Sequence, residues 1–159
     1  MNIFRPIVLG VACTMIFCTG GIGFSEPQTT NHVTEIVDTD VYPITADEIE
    51  LIALVTMAEA GVESEYGKRL VIDTILNRVD SRRFPNSVYD VVYQPNQFSV
   101  MWNGMIERCW VDNDICELVK EELLKRTNYD VIFFRMEKYS KWGTPLFKVG
   151  NHYFSSYDN

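Results

Sequence analysis

The chain has 159 residues, 47% hydrophobic and 23% charged, an ordinary globular composition with room for one catalytic domain and not two. A formal net charge of -8 argues against nucleic acid as a partner, and it offers no electrostatic attraction to any anionic polymer, so such a ligand must be held by specific contacts. Four cysteines and two histidines, His32 and His152, lack the spacing of a zinc site, and neither a metal nor an organic cofactor is implied.

The N-terminus reads as an address. Arg5 precedes an uncharged apolar run over residues 6–24, and Gly23 and Ser25 stand where a cleavage site needs small residues, so residues 1–25 are expected to be a signal peptide or an N-terminal anchor of an exported protein. The run approaches the ~17–25 residues that span a bilayer, and if retained it provides membrane association. Residues 26–43 are mostly Thr, Asn, Glu, Asp and Val without periodicity. They read as a flexible linker, too short and too polar for a separate binding module. Residues 44–159 are then the folded, monomeric domain.

Thr45 and Glu48 form a capping box with Ile44 and Ile49 as its hydrophobic staple, which starts a helix at Ala46. Ile52, Val55 and Glu59 follow at spacings of three and four on one stripe, and Gly61 is the expected stop. Ser64 caps a second helix to about Asp80, with Leu70, Val71, Thr74, Ile75 and Val79 at helical spacing. Ser87 and Asp90 cap a short third helix that ends before Pro95. Residues 94–104 carry Phe98, Trp102 and polar amides without periodicity, as a cleft-lining loop would, although core packing is the simpler role for Trp102 and for Trp142. Asp112 or Asn113 opens a further helix with Ile115, Cys116, Val119, Leu123 and Leu124 on its apolar face. Cys109 and Cys116 would lie ~10 Å apart on one continuous helix, too far for a disulfide, and a turn over residues 110–113 would be needed to bridge them. Residues 131–134 and 147–154 are rich in strand-forming side chains, with a turn at Gly150 and Asn151. The expected fold class is α+β, mostly helical, with a small late β element.

Glu59 is the residue with the clearest chemical promise. A carboxyl among Ile52 and Val55, at the negative end of a helix dipole, has two reasons to hold its proton at neutral pH, as a general acid must. The alternative is a solvated glutamate at a frayed helix end. Asn77 and Arg78, closing the second helix, are expected to brace the structure through carbonyl hydrogen bonds.

An ordered set of short words then stands out: Ala58-Glu59-Ala60, Glu63, Gly67, Asn77-Arg78, Phe84-Pro85, Tyr93-Gln94-Pro95, Gln97-Phe98-Ser99 and Gly150-Asn151-His152-Tyr153-Phe154. In this set the chain resembles the SleB/CwlJ-type cell-wall hydrolases, which include spore cortex-lytic enzymes, over residues 45–154. The resemblance implies a single lysozyme-like domain that cuts peptidoglycan glycan strands, with Glu59 as catalytic acid. It also implies lytic transglycosylation, in which the glutamate protonates the bond between muramic acid and N-acetylglucosamine and the muramoyl 6-hydroxyl closes on C1. A water-using muramidase and a silent peptidoglycan-binding module are the alternatives. Glu63 is either a brace for the turn after Gly61 or a second carboxylate of the site. Tyr93, Gln97, Phe98, Ser99, His152 and Tyr153 are candidate substrate contacts by stacking and hydrogen bonding. The chain departs from the family pattern at Ser64-Glu65-Tyr66 and Lys68, and residues 107–141 match only loosely.

Overall fold

The structure, a computed structural model, describes residues 44–157; the expected signal or anchor and the linker lie outside them. In chain order the elements are α1 (Ala46–Ala60), α2 (Glu65–Asp80), α3 (Val88–Val92), α4 (Asn113–Leu124), β1 (Phe133–Met136), β2 (Pro145–Val149) and β3 (His152–Ser155), with single 3-10 turns at Ser99–Met101 and Ile106–Arg108. This is the mostly helical α+β arrangement expected from the sequence.

Each helix starts where a side chain can satisfy its first free N–H groups. Thr45 and Glu48 close the capping box, Ser64 accepts from the Gly67 N–H, Ser87 from that of Asp90, and Asp112 from those of Asp114 and Ile115. The end of α1 has a different cause from the one the sequence suggests. Gly61 is right-handed, at φ -55°, so no left-handed residue breaks the helix. A Cβ there would come within 2.5 Å of the Met57 carbonyl oxygen, and glycine is required by close approach.

From Leu70 to Val79 every residue of α2 is buried. The main core joins Ile49, Ile52 and Val55 of α1 to Ile72, Ile75 and Leu76 of α2, with Val88 and Val91 of α3, Phe98, and Ile115 and Val119 of α4. Burying such side chains contributes roughly 1.5–3 kcal/mol each and is the main force holding the four helices together. On α4, Leu124 departs from expectation: it is 72% exposed, while Glu122 is 1% exposed.

The sheet has the order β1-β3-β2 and is antiparallel throughout. β3 is central, with His152, Phe154 and Ser155 buried. Phe154 joins Leu70 and Val131 in a second, smaller cluster that fastens the sheet to α2. Asn77 donates to the carbonyls of Asn128 and Val131, and Arg78 to that of Ile132, so the end of α2 sets the path by which the chain enters β1.

Polar groups buried between α2 and α4 are linked to one another. Glu122 accepts from Arg69 at 2.8 Å, from the Thr127 hydroxyl at 2.8 Å and from the Thr127 N–H, while Asp73 accepts from the Asn128 N–H at 2.7 Å. Burial, followed by the hydrogen bond and charge of Glu122, pushes Asp73 up to about 8, so that it is largely protonated at neutral pH. Burial also resists ionisation of Glu122, but Arg69, Asp73 and Thr127 outweigh it and hold that group below its ordinary value. Cys109 and Cys116 are both free thiols. Among the described residues no helix is long and apolar enough to cross a membrane, and no group of three or more His, Cys, Asp or Glu could hold a metal ion.

Candidate active site

Glu59 lies in the last turn of α1, one turn after the buried Val55 and directly before the buried Ala60. Its side chain is half-buried rather than lost in solvent. Burial raises its pKa, opposed by the backbone N–H of Val100, and no lysine or arginine contributes. The 3-10 turn Ser99–Met101 brings that N–H to it. Apolar helix packing thus creates a carboxyl that holds its proton longer than a surface glutamate, while one backbone donor orients it.

The same turn borders open space. Ser99, with Pro95, Asn96, Trp102 and Asn103, lines a cavity of about 580 Å³. Trp102 is 60% exposed and meets Tyr93 edge to face at 6.2 Å, and Tyr93 stacks on Tyr89 at 4.3 Å. These rings offer the flat apolar surface on which a sugar face can lie. A second cavity of about 270 Å³ shares Asn96 and is lined by Gln97, Arg78, Phe134 and Trp142, among others. Asn96 sits at φ 64°, an uncommon conformation that asparagine tolerates.

Glu63 is placed differently. It accepts from both the backbone N–H (3.2 Å) and the side-chain amide (2.7 Å) of Asn151. A Cβ on Gly150, which has φ 54°, would fall 1.6 Å from the Glu63 carboxylate. The turn between α1 and α2 is therefore clasped to the β2–β3 hairpin, with both hydrogen bonds of the clasp on one Glu63 oxygen, Oε1. His152, next to the clasp, is buried, and burial lowers its pKa against the opposing charge of Glu63. Its ring meets Phe134 at 5.0 Å and Phe154 at 6.1 Å, and Nδ1 has no partner.

The remaining sequence candidates divide. Gln97 and Ser99 are exposed and line the cavities, and Tyr93 reaches the larger one through Trp102. Phe98 is fully buried, packed between Phe134 at 6.0 Å and the Arg78 guanidinium at 5.1 Å. It cannot serve as an open stacking surface, because it turns into the main core together with Val100 and Met101. Tyr153 is half-buried on β3, edge-on to Tyr139 at 5.1 Å. Trp102 and Trp142 reverse the core-packing expectation, since both are more than half exposed and each lines a cavity. Their signal in the sequence was their polar setting, Trp102 beside Asn103 and Gly104, Trp142 between Lys141 and Gly143. Arg135 and Ser140, lining the smaller cavity, lie in the loosely matching segment and carried no signal.

The chain is similar in sequence and fold to known proteins. The family model for cell wall hydrolases matches residues 62–155, a stretch that begins just after Glu59. A spore cortex-lytic enzyme of Bacillus subtilis is 30% identical over 118 residues, which cover 68% of this chain and 37% of that protein. One from Bacillus cereus is 37% identical over 60 residues, covering 38% of this chain and 23% of that protein. The chain therefore spans well under half the length of these curated relatives. Among solved structures, the catalytic domain of the Bacillus cereus SleB protein superposes with a TM-score of 0.62 at 26% identity, covering 69% of this chain and 90% of that one. The catalytic domain of the germination-specific lytic transglycosylase SleB from Bacillus anthracis gives 0.62 at 25% identity, covering 74% and 99%.

Proposed function

The chain belongs to the cell wall hydrolase family, of the SleB/CwlJ type and with its lysozyme-like fold, and from that premise we propose that it cleaves peptidoglycan glycan strands by lytic transglycosylation with Glu59 as acid and base. The substrate is the bond between muramic acid and N-acetylglucosamine, met outside the cytoplasm in the wall or the spore envelope. Residues 1–25 serve export, and residues 6–24 hold the protein to the membrane if they are retained.

The observation that carries the reading is a single half-buried carboxyl, its pKa raised by burial and by no other acid, held by the Val100 N–H of the turn whose Ser99 lines a sugar-sized cavity. An inverting hydrolase needs a second carboxylate ~6.5–9.5 Å away to activate water, and a retaining one needs it nearer. Glu63, the other acid in the family's motif, is tethered through its Oε1 to Asn151 of the hairpin turn. Lytic transglycosylation asks for one group only. The Glu59 carboxyl gives its proton to the glycosidic oxygen as the bond to C1 of muramic acid breaks. The 6-hydroxyl oxygen of the same sugar bonds to C1, and its proton returns to the carboxylate. No water is consumed, and Glu59 ends as it began. Tyr93, Gln97 and Ser99 position the glycan, while Glu63 acts through its clasp on the hairpin that carries His152 and Tyr153.

Mass spectrometry of fragments released from purified sacculi and from spore cortex tests this reading. Fragments ending in a 1,6-anhydro muramic residue are expected. Reducing-end muramic acid would replace transglycosylation by hydrolysis, and binding without any soluble fragment would make the protein a silent wall-binding module.

A further inference from the structure

Arg78 is a buried cation without an anion. It is 3% exposed, its Nε–H donates to the Ile132 carbonyl at 2.8 Å, and its Nη1 is buried with no acceptor. The rings of Phe84, Phe98 and Phe133 lie 5.3, 5.1 and 5.6 Å from the guanidinium carbon. Those faces soften the desolvation of the charge but do not supply the planar oxygens a guanidinium fork accepts. Burial lowers its pKa to about 10 with no acidic neighbour to offset it, so it stays charged at neutral pH. Bracing the chain uses one of its five N–H donors, which makes an arginine an expensive choice for that task alone.

The unused donors belong to a residue that lines the smaller cavity. Arg135 supplies a second cation at the rim, and Gln97 and Ser140 supply neutral donors. Ser140 is buried, and its oxygen accepts only from the Trp142 N–H at 3.2 Å, which leaves its own hydroxyl proton to give. At about 270 Å³ the smaller cavity is less than half the volume of the neighbouring cavity, a proportion that suits a substituent carried by a sugar. The 580 Å³ cavity, which shares Asn96, is the one of sugar size.

We propose that the smaller cavity is a carboxylate-binding subsite for the acid-bearing substituent of a muramic residue, with Arg78 as its principal cation. The proposal rests on the glycan-cleavage reading for the identity of the sugar. The carboxylate has two sources, the free lactyl group of a peptide-stripped residue or the stem peptide of a substituted one. A muramic lactam, whose carboxyl is closed on its own ring, presents neither.

The test uses the purified full-length wild-type chain, labelled with nitrogen-15, and follows the indole N–H signals of Trp142 and Trp102 by NMR. It is titrated with N-acetylmuramic acid, with the methyl ester of that acid, and with N-acetylmuramyl-L-alanyl-D-isoglutamine, in which the lactyl carboxyl is an amide and the peptide carries the acid. At least one acid is expected to shift the Trp142 signal saturably and to bind about tenfold or more tightly than the ester, the scale of a hydrogen bond to a charged group. Binding of the simple acid identifies the lactyl carboxylate, binding of the dipeptide the stem. Neither acid binding more tightly than the ester, shifts confined to Trp102, or no shift from any of the three would overturn the proposal. None of the probes contains the scissile bond, so failure here leaves the cleavage reading standing. A lost cleavage activity with the Trp142 response intact would strike only that reading.

Discussion

Replacing Gly150 by alanine tests the clasp that joins the two halves of the site. The new Cβ would have to occupy the space of the Glu63 carboxylate, 1.6 Å away, at a backbone φ of 54°. The left-handed conformation costs a side chain roughly 1–2 kcal/mol. Moving Glu63 aside also gives up its two hydrogen bonds from Asn151, about 1–2 kcal/mol more after allowance for their exposure. Gly150→Ala should therefore lose about 2–4 kcal/mol in urea unfolding followed by circular dichroism. In a chain already carrying Glu63→Ala the clash and the hydrogen bonds are gone, and only the backbone term of roughly 1–2 kcal/mol remains. The resulting coupling, about 1–2 kcal/mol, is the energy of the clasp. The same loss in both backgrounds would refute the claim that Glu63 and the hairpin turn hold each other.

Glu122→Ala should destabilise the fold by about 1–3 kcal/mol in the same assay, because the Thr127 N–H and hydroxyl lose their acceptor while Arg69 keeps Glu65 and Glu121. A loss under 1 kcal/mol would mean that the network contributes little. Asp73 binds its proton up to about pH 8 in the folded chain, against an ordinary value of 3.8. Between those values the folded state holds more protons than the unfolded one, so this group's contribution is fully present below pH 4 and is lost as pH rises towards 8. Asp73→Asn keeps a donor towards Glu122 and an acceptor for Asn128, and its stability should fall less over pH 5–8 than the wild type's; parallel profiles would contradict this. Glu59→Gln should be at least as stable as the wild type at pH 7, because the amide removes a carboxylate that burial disfavours. A drop in melting temperature would show that the ionised form is stabilised in the fold.

What the sequence disclosed and what it withheld differ by range. The capping box at Thr45 and Glu48, the caps at Ser64, Ser87 and Asp112, and the turn at Gly150 and Asn151 rest on residues a few positions apart, and each forms where local chemistry placed it. The Glu63 clasp joins residues 88 positions apart, and only the folded chain brings them together. Phe98 and Trp102 show the same limit on one loop: nothing local tells which aromatic turns inward, and tertiary packing buries the first and exposes the second. Glu122 is marked by its spacing. It follows Ile115 and Val119 on one helical stripe of α4, the same placement that singled out Glu59 on α1. Asp73 likewise stands alone in the apolar run from Leu70 to Leu76.

The proton of Glu59 carries the proposed chemistry. The decisive measurement is the rate at which Glu59→Gln solubilises sacculi, taken alongside its circular dichroism spectrum and melting curve. A chain that folds as the wild type does and loses at least ~100-fold in rate is predicted, the scale of a positioned general acid. Near-normal turnover by the folded variant would contradict it.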